Sequence, residues 1–306
     1  MTTKLIYDEI LLRGWKVEIL DEQKNFLRFW DDSGKHHLLK NDNTEKTSLI
    51  NFYIAKDKQI TYKLAADLGI PIPNTLAFTE MEGAEEFLGR EGRVVVKPQD
   101  SAHGQGVTAG IVDVSKLHTA IKFAQAYSNK PLIQTHVEGD DYRLLYIDKK
   151  LVAATIREPA SIVGDGKQSI SELILAENQN PKRGKNYVKE LNVIDEAAAV
   201  EYLGDRVSEV PRKDEKVQVI GVANMGRGGK AIDVTDNVSS QMLEYASKIV
   251  NYLDMGLCGV DFIYNTKDNQ MFLIEINAAP SFGLHEHPSV GKGRNVAKSF
   301  VDWFAK

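Results

Sequence analysis

Apolar positions along this chain change period repeatedly, from the three-to-four spacing of a helix to the alternation of a strand. "KLIYDEILLRGW" near the N-terminus has the helical spacing, while "KVEIL" and "NFLRFW" read as extended segments and "DDSGK" at residues 31–35 as a hairpin connection. "DKQITYKLAADLG" puts Ile60, Leu64, Ala65 and Leu68 at helical intervals, with Gly69 placed to cap the C-terminus. The prolines of "IPIPNT" then impose an extended path. A helix "MEGAEEFLGR" leads to a strand "RVVVKP"; a strand near "TAGIVDV", a helix "SKLHTAIKFAQAYSN" and a strand "PLIQTHV" follow. "YRLLYIDKKLVAATIRE" reads as a hairpin turning at "DKK", and in "QSISELILAENQ" Ser169 and Glu172 have capping-box spacing. The last third holds a helix "SSQMLEYASKIVNYLD" and two strands, "CGVDFIY" and "MFLIEINA", joined by "NTKDNQ". Hairpins interleaved with helices predict α+β lobes rather than a doubly wound parallel sheet. Neither GxGxxG after an early strand nor GxxxxGK[ST] occurs.

Composition narrows the function. With 306 residues, 42% hydrophobic and 26% charged, the chain is long enough for two or three packed lobes. A net charge of -5 argues against a nucleic-acid partner, and no apolar run approaches membrane length. No signal-peptide pattern opens the chain, and the single cysteine, Cys258, precludes an internal disulfide and reads as a core residue. A cytoplasmic location is the expectation.

Four segments carry candidate chemistry. In "VVVKPQDSAHGQGV", Lys97 ends a strand and a loop of little bulk follows, with Ser101, His103, Gly104 and Gly106. Small residues let successive backbone N–H groups approach an anion, and the lysine adds a point charge, so the segment reads as a phosphate cradle; a surface hairpin with a solvated lysine reads the same way. In "GVDFIY" and "FLIEINAAP", Asp261 lies on one strand and Glu275 and Asn277 share a face of the next. Carboxylates among apolar neighbours demand partners, either Mg²⁺ or a buried arginine. "THVEGDDYRLLYI" sets Asp141 and Arg143 two apart, as a ribose acceptor and an anion contact or as a solvated turn. "VIGVANMGRGGKAIDVTD" holds a basic loop, Arg227, Gly228, Gly229 and Lys230, which with "REPASIVGDGKQS" reads as the lining of an anionic substrate site or as plain surface loops. His285 and His287 follow the acidic strand, with no zinc spacing.

"GDGKQSISELI", "NPKRG", "GGKAIDVTD", "GVDF" and "EINAAPSFGLHEHPSVGKGRNVA" occur here in an order that resembles the ATP-grasp superfamily, and within it the ATP-grasp regions of cyanophycin synthetase and fused bacterial glutathione synthetase, over roughly residues 50–306. The resemblance implies an α+β ATP-grasp fold with two lobes gripping ATP: a reduced N-terminal region 1–55, a lid lobe 56–135 and a larger lobe 136–306 with the metal site. It implies that Lys58, Lys97 and the loop Ser101, His103, Gly104, Gly106 meet the ATP phosphates. Adenine would sit near Gln134, His136 and Val137, and ribose at Asp141. Asp261, Glu275 and Asn277 would hold Mg²⁺ (or Mn²⁺). Arg143, Arg157, Asn224 and Arg294 would face the substrate or the transferred phosphoryl group. Gln134 stands where these families often have glutamate, and Ile220 where the cyanophycin type usually has arginine. The expected activity is an ATP-dependent carboxylate–amine or carboxylate–thiol ligase acting on an amino acid or short peptide and an amine acceptor, with a homodimer as one oligomeric option. The alternatives are a small-molecule kinase and a non-catalytic nucleotide binder.

Overall fold

The computed structural model describes residues 1–78, 81–99, 105–184 and 191–305. Its centre is a five-stranded antiparallel sheet in the order Lys230–Asp233, Lys150–Glu158, Asp140–Ile147, Leu257–Asn265, Gln270–Asn277. Asp148 and Lys149 both have positive φ, as the two-residue turn of the hairpin at "DKK" requires. Along each strand alternate residues face opposite ways. Leu144, Ala154, Val260 and Ile276 pack with Met242, Ala246, Ile249 and Val250 of the helix Ser240–Tyr252. Cys258 is wholly buried in this cluster, and burial pushes its thiol up to about 12, which suits a core residue.

The other face has two halves. Leu145, Ile147, Ala153 and Leu257 join Ile6 and Ile10 of the helix Thr2–Leu12, Phe29 and Leu39 of a four-stranded N-terminal meander, and Phe300 and Val301 of the helix Val296–Asp302. The N-terminal region is therefore packed onto the central sheet. Two residues further along the strands this face turns polar, and the site lies there.

A second sheet, in the order Thr75–Ala77, Pro131–Thr135, Val94–Pro98, Thr108–Ile111, is covered by the helices Met81–Glu91 and Val114–Gln125. Asp113, which the strand reading of "TAGIVDV" absorbed, instead caps the second of these helices by accepting from Lys116 N–H. A further small core (Ile162, Ile170, Ile174, Ala199, Val217, Val219) forms within residues 160–222 under a helix Ile170–Asn178 whose Ser169–Glu172 capping box is as expected. The helices Leu49–Lys56 and Glu196–Leu203, capped by Ser48 and Asp195, were not anticipated. Among the described residues no helix is long and apolar enough to cross a membrane.

Asp42, at the end of the meander, is buried with no ion pair among the described residues, and burial pushes its carboxyl up to about 7. A carboxyl whose folded pKa lies above its unfolded one holds its proton more tightly when folded. Its contribution is thus most favourable below pH 4 and is lost as pH rises towards 7. Asp42→Asn is expected to raise unfolding free energy at pH 8 by at least about 1 kcal/mol and to change it little at pH 4, measured by urea titration; equal effects at both pH values would contradict this.

Candidate active site

Cross-strand partners share a face, so register alone assembles the polar half of the central sheet. Asp233 pairs with Thr155, Thr155 with Arg143, Arg143 with Asp261, and Asp261 with Glu275, giving one row across all five strands. Beside it runs Arg157 opposite Asp141. Arg143 Nη2 donates to Asp261 Oδ2 at 2.6 Å and its Nε to Asp261 Oδ1. Arg157 Nη2 donates to the same Asp261 Oδ2 at 2.8 Å and to Asp141 Oδ1 at 2.5 Å. Asp261 is 3% exposed. Burial alone pushes its carboxyl up, but Arg143 and Arg157 outweigh that, and the net direction is down.

The second cluster lies where the second sheet meets the central one. Lys97 is buried, and its Nζ donates to Tyr62 Oη at 3.0 Å and Gln134 Oε1 at 2.8 Å. Gln134 Nε2 donates to Tyr62 Oη and to Thr75 Oγ1. Tyr62 Oη donates in turn to the Ile274 carbonyl at 2.7 Å, which sits where the register slips between Asp261 and Phe262. Such a slip leaves a residue outside the ladder, and here its oxygen ties the helix Lys58–Asp67 to the metal-candidate strand. Burial lowers the Lys97 ammonium to about 8, opposed by Glu275, and raises Tyr62 to about 12. Lys58 is also buried, with Nζ directed at the Gln99 carbonyl at 3.4 Å.

The remaining expected residues fall around these clusters. His136 and Val137 lie in the connection between the two sheets, where Gly139 brings the chain so close to Tyr264 that a Cβ would stand 2.5 Å from its carbonyl carbon. Gly106 has φ +70° and is pressed against Pro98. Ser101, His103 and Gly104 lie outside the described residues. Asn224 orders the turn before the strand Lys230–Asp233 by accepting from Gly226 N–H. Arg294 chelates Asp233 and Asp236, its Nη2 at 2.5 and 2.7 Å. The side chains of Glu275 and Asn277 enter no hydrogen bond or salt bridge among the described residues. With Asp261 they make an all-oxygen donor set that fits a hard cation, although Asp261 is at present committed to the two arginines.

The resemblance implies that Arg143, Arg157 and Arg294 face the substrate or the transferred phosphoryl group. In the structure Arg143, Arg157, Arg183, Arg227 and Arg294 all have carboxylate partners: Asp261, Asp141 and Asp261, Glu177, Asp195, and Asp233 with Asp236. Arg183 is a bolt, fully buried and donating to the carbonyls of Asn192 and Gly228. Tyr62, Thr155 and Asp233 went unread. In "DKQITYKLAADLG" the apolar period drew attention to Ile60, which is exposed, while Lys58, Thr61, Tyr62 and Ala65 are buried. His285, following the acidic strand, proves wholly buried. Burial, with Arg143 and Arg157, drives its imidazole down to about 3, so it is neutral at ordinary pH.

The family model of the ATP-grasp domain matches residues 55–281, and the chain belongs to that family. The cyanophycin synthetase of Trichormus variabilis is 30% identical over 278 residues, which cover 87% of this chain and 31% of that protein. The glutathione biosynthesis bifunctional protein of Streptococcus thermophilus is 28% identical over 318 residues, covering 99% of this chain and 42% of that one. The crystal structure of a bifunctional glutathione synthetase from Pasteurella multocida superposes with TM-score 0.68 at 26% identity over 98% of this chain and 42% of that chain. The D-alanine–D-alanine ligase of Bacillus anthracis shares the fold, with TM-score 0.54 at 14% identity over 84% of this chain and 68% of that one. The expected α+β ATP-grasp fold is thereby met, while the chain spans less than half the length of its curated relatives.

Removing one member of a buried ion cluster strands its partners. Asp261→Ala, which leaves Arg143 and Arg157 facing each other, is expected to lower unfolding free energy by about 3–5 kcal/mol in urea titrations without nucleotide. A loss under about 1 kcal/mol would show that the cluster is not buried in solution.

Proposed function

We propose that the chain is an ATP-dependent ligase that activates a carboxylate as an acyl phosphate and transfers the acyl group to an amine. The observation that carries this reading is the single polar strip from Gln134 and Lys97 through Glu275 and Asp261 to Arg143 and Arg157. It joins a buried ammonium, an oxygen donor set and two guanidiniums in one line across two sheets, as phosphoryl transfer to an anionic acceptor requires.

In this reading Lys97 leaves Tyr62 and Gln134 to neutralise nucleotide phosphate, with Lys58 beside it. Gln134 and the connection through His136 and Val137 face adenine, and Asp141 the ribose. Asp261, Glu275 and Asn277 would hold Mg²⁺, which supplies charge neutralisation at the phosphates. Arg143 and Arg157 orient the substrate carboxylate, whose oxygen attacks the γ-phosphorus while the bond to ADP breaks. The amine nitrogen then attacks the acyl carbon, phosphate leaves, and the amine gives up a proton. Asn224 and Arg294 border the acceptor side. The acid is an amino acid or short peptide.

A buried lysine with a pKa about 8 gives a pH signature. Its charge, and with it phosphate affinity, is present below pH 8 and lost above. Binding of an ATP analogue at pH 8.5 is therefore expected to take up protons, seen by calorimetry in buffers of different ionisation enthalpy. Lys97→Met should abolish the uptake and weaken binding at least about tenfold, ~1.4 kcal/mol; unchanged binding would remove Lys97 from the site.

The reaction is tested by incubating the protein with ATP, Mg²⁺, hydroxylamine and a panel of amino acids and dipeptides. A hydroxamate with ADP is expected. AMP with pyrophosphate would indicate an adenylating enzyme, and a stable phosphorylated product a kinase.

A further inference from the structure

Two buried polar groups on the reaction face have no hydrogen-bond partner among the described residues. His285 is wholly enclosed with both ring nitrogens unsatisfied, and Thr155, 1% exposed, leaves Oγ1 unsatisfied. Buried polar atoms are rarely left so, and each exception calls for a reason. Both stand at the same place. Thr155 is the register partner of Arg143 on one side and of Asp233 on the other. The backbone carbonyl of His285 accepts from Arg294 N–H at 3.0 Å, and the Arg294 guanidinium grips Asp233. The short helix Gly283–Glu286 that carries His285 packs on the strands Lys150–Glu158 and Lys230–Asp233, which bear Thr155, Arg157 and Asp233.

A guanidinium offers five donors and no acceptor, whereas a neutral imidazole has a free lone pair and a threonine hydroxyl two. In the structure the donors of Arg143 and Arg157 go to Asp261 and Asp141. If Asp261 also serves a cation, those donors lose an acceptor in a buried place, which is costly unless another is at hand. We infer that His285 and Thr155 are the reserve acceptors: they hold Arg143 and Arg157 on the reaction face when Asp261 turns to a divalent cation. This rests on the cation and nucleotide site proposed above. Both act through the arginines and are positioning residues.

The test uses the full chain with ¹⁵N-labelled histidine, the His285 signals being identified by their loss in His285→Asn. On addition of Mg²⁺ and AMP-PNP, without acid or amine, a His285 ring nitrogen is expected to shift as it gains a hydrogen bond. Mg²⁺ affinity in the presence of AMP-PNP, read by calorimetry, should weaken at least about fivefold in His285→Phe and Thr155→Val, because the arginines then compete harder for Asp261. His285→Asn, which keeps an acceptor, should stay within about twofold of the parent. Mg²⁺-dependent nucleotide binding with unmoved His285 signals overturns the inference and leaves the ligase reading standing. Absence of any Mg²⁺-dependent nucleotide binding overturns both. The spectroscopic readout is taken on the unmodified chain, so it decides even if a variant fails to fold.

Discussion

The Asp261 carboxylate, buried between two guanidiniums, is the constraint on which the rest of the site depends. A lone charge at 3% exposure would be untenable, so the strands bearing Arg143, Arg157 and Asp261 must keep their register. A slip of one residue would turn all three into the apolar core behind the sheet, where Leu144, Ala154 and Val260 now pack. The same network makes the site responsive. Two of its members have a further acceptor at hand, Arg157 on Asp141 and Arg143 beside Thr155, while Asp261 faces the like-charged Glu275 across the strand pair.

The joint between the two sheets uses a complementary device. Lys97 crosses from the strand Val94–Pro98 of the second sheet to a tyrosine anchored on the slipped backbone of the central sheet. Desolvation weakens its hold on a proton, and the Glu275 carboxylate partly restores it. An anion arriving there meets a desolvated cation, whose attraction for it is stronger than that of a solvated one. Gly139 completes the joint by letting the connecting chain pass against Tyr264, a contact closed to any larger residue.

The sequence disclosed the parts of this arrangement that depend on local pattern. The spacing of Glu275 and Asn277, the strand-end position of Lys97, the "DKK" turn and the Ser169–Glu172 capping box were all readable, since each is set within a few residues. The arginine partners were not. Asp261 lies 118 residues from Arg143 and Asp233 lies 61 from Arg294, too far apart for local pattern to pair them. Tyr62 was hidden because a helix face that meets polar partners, here Lys97, Gln134 and the Ile274 carbonyl, breaks the apolar period used to find helix faces. His285 was hidden because isolation from partners is a property of three dimensions only. Family resemblance supplied the grouping that spacing lacked.

The central claim is that Asp261 and Glu275, adjacent across two strands, share a cation beside a nucleotide held from Lys97 and Gln134. Crystals grown with Mn²⁺ and AMP-PNP test it most directly through anomalous diffraction. The account predicts an anomalous peak between the Asp261 and Glu275 carboxylates, with the phosphates of the analogue reaching Lys97. A nucleotide bound with no metal at these carboxylates, or with the metal elsewhere, would contradict it.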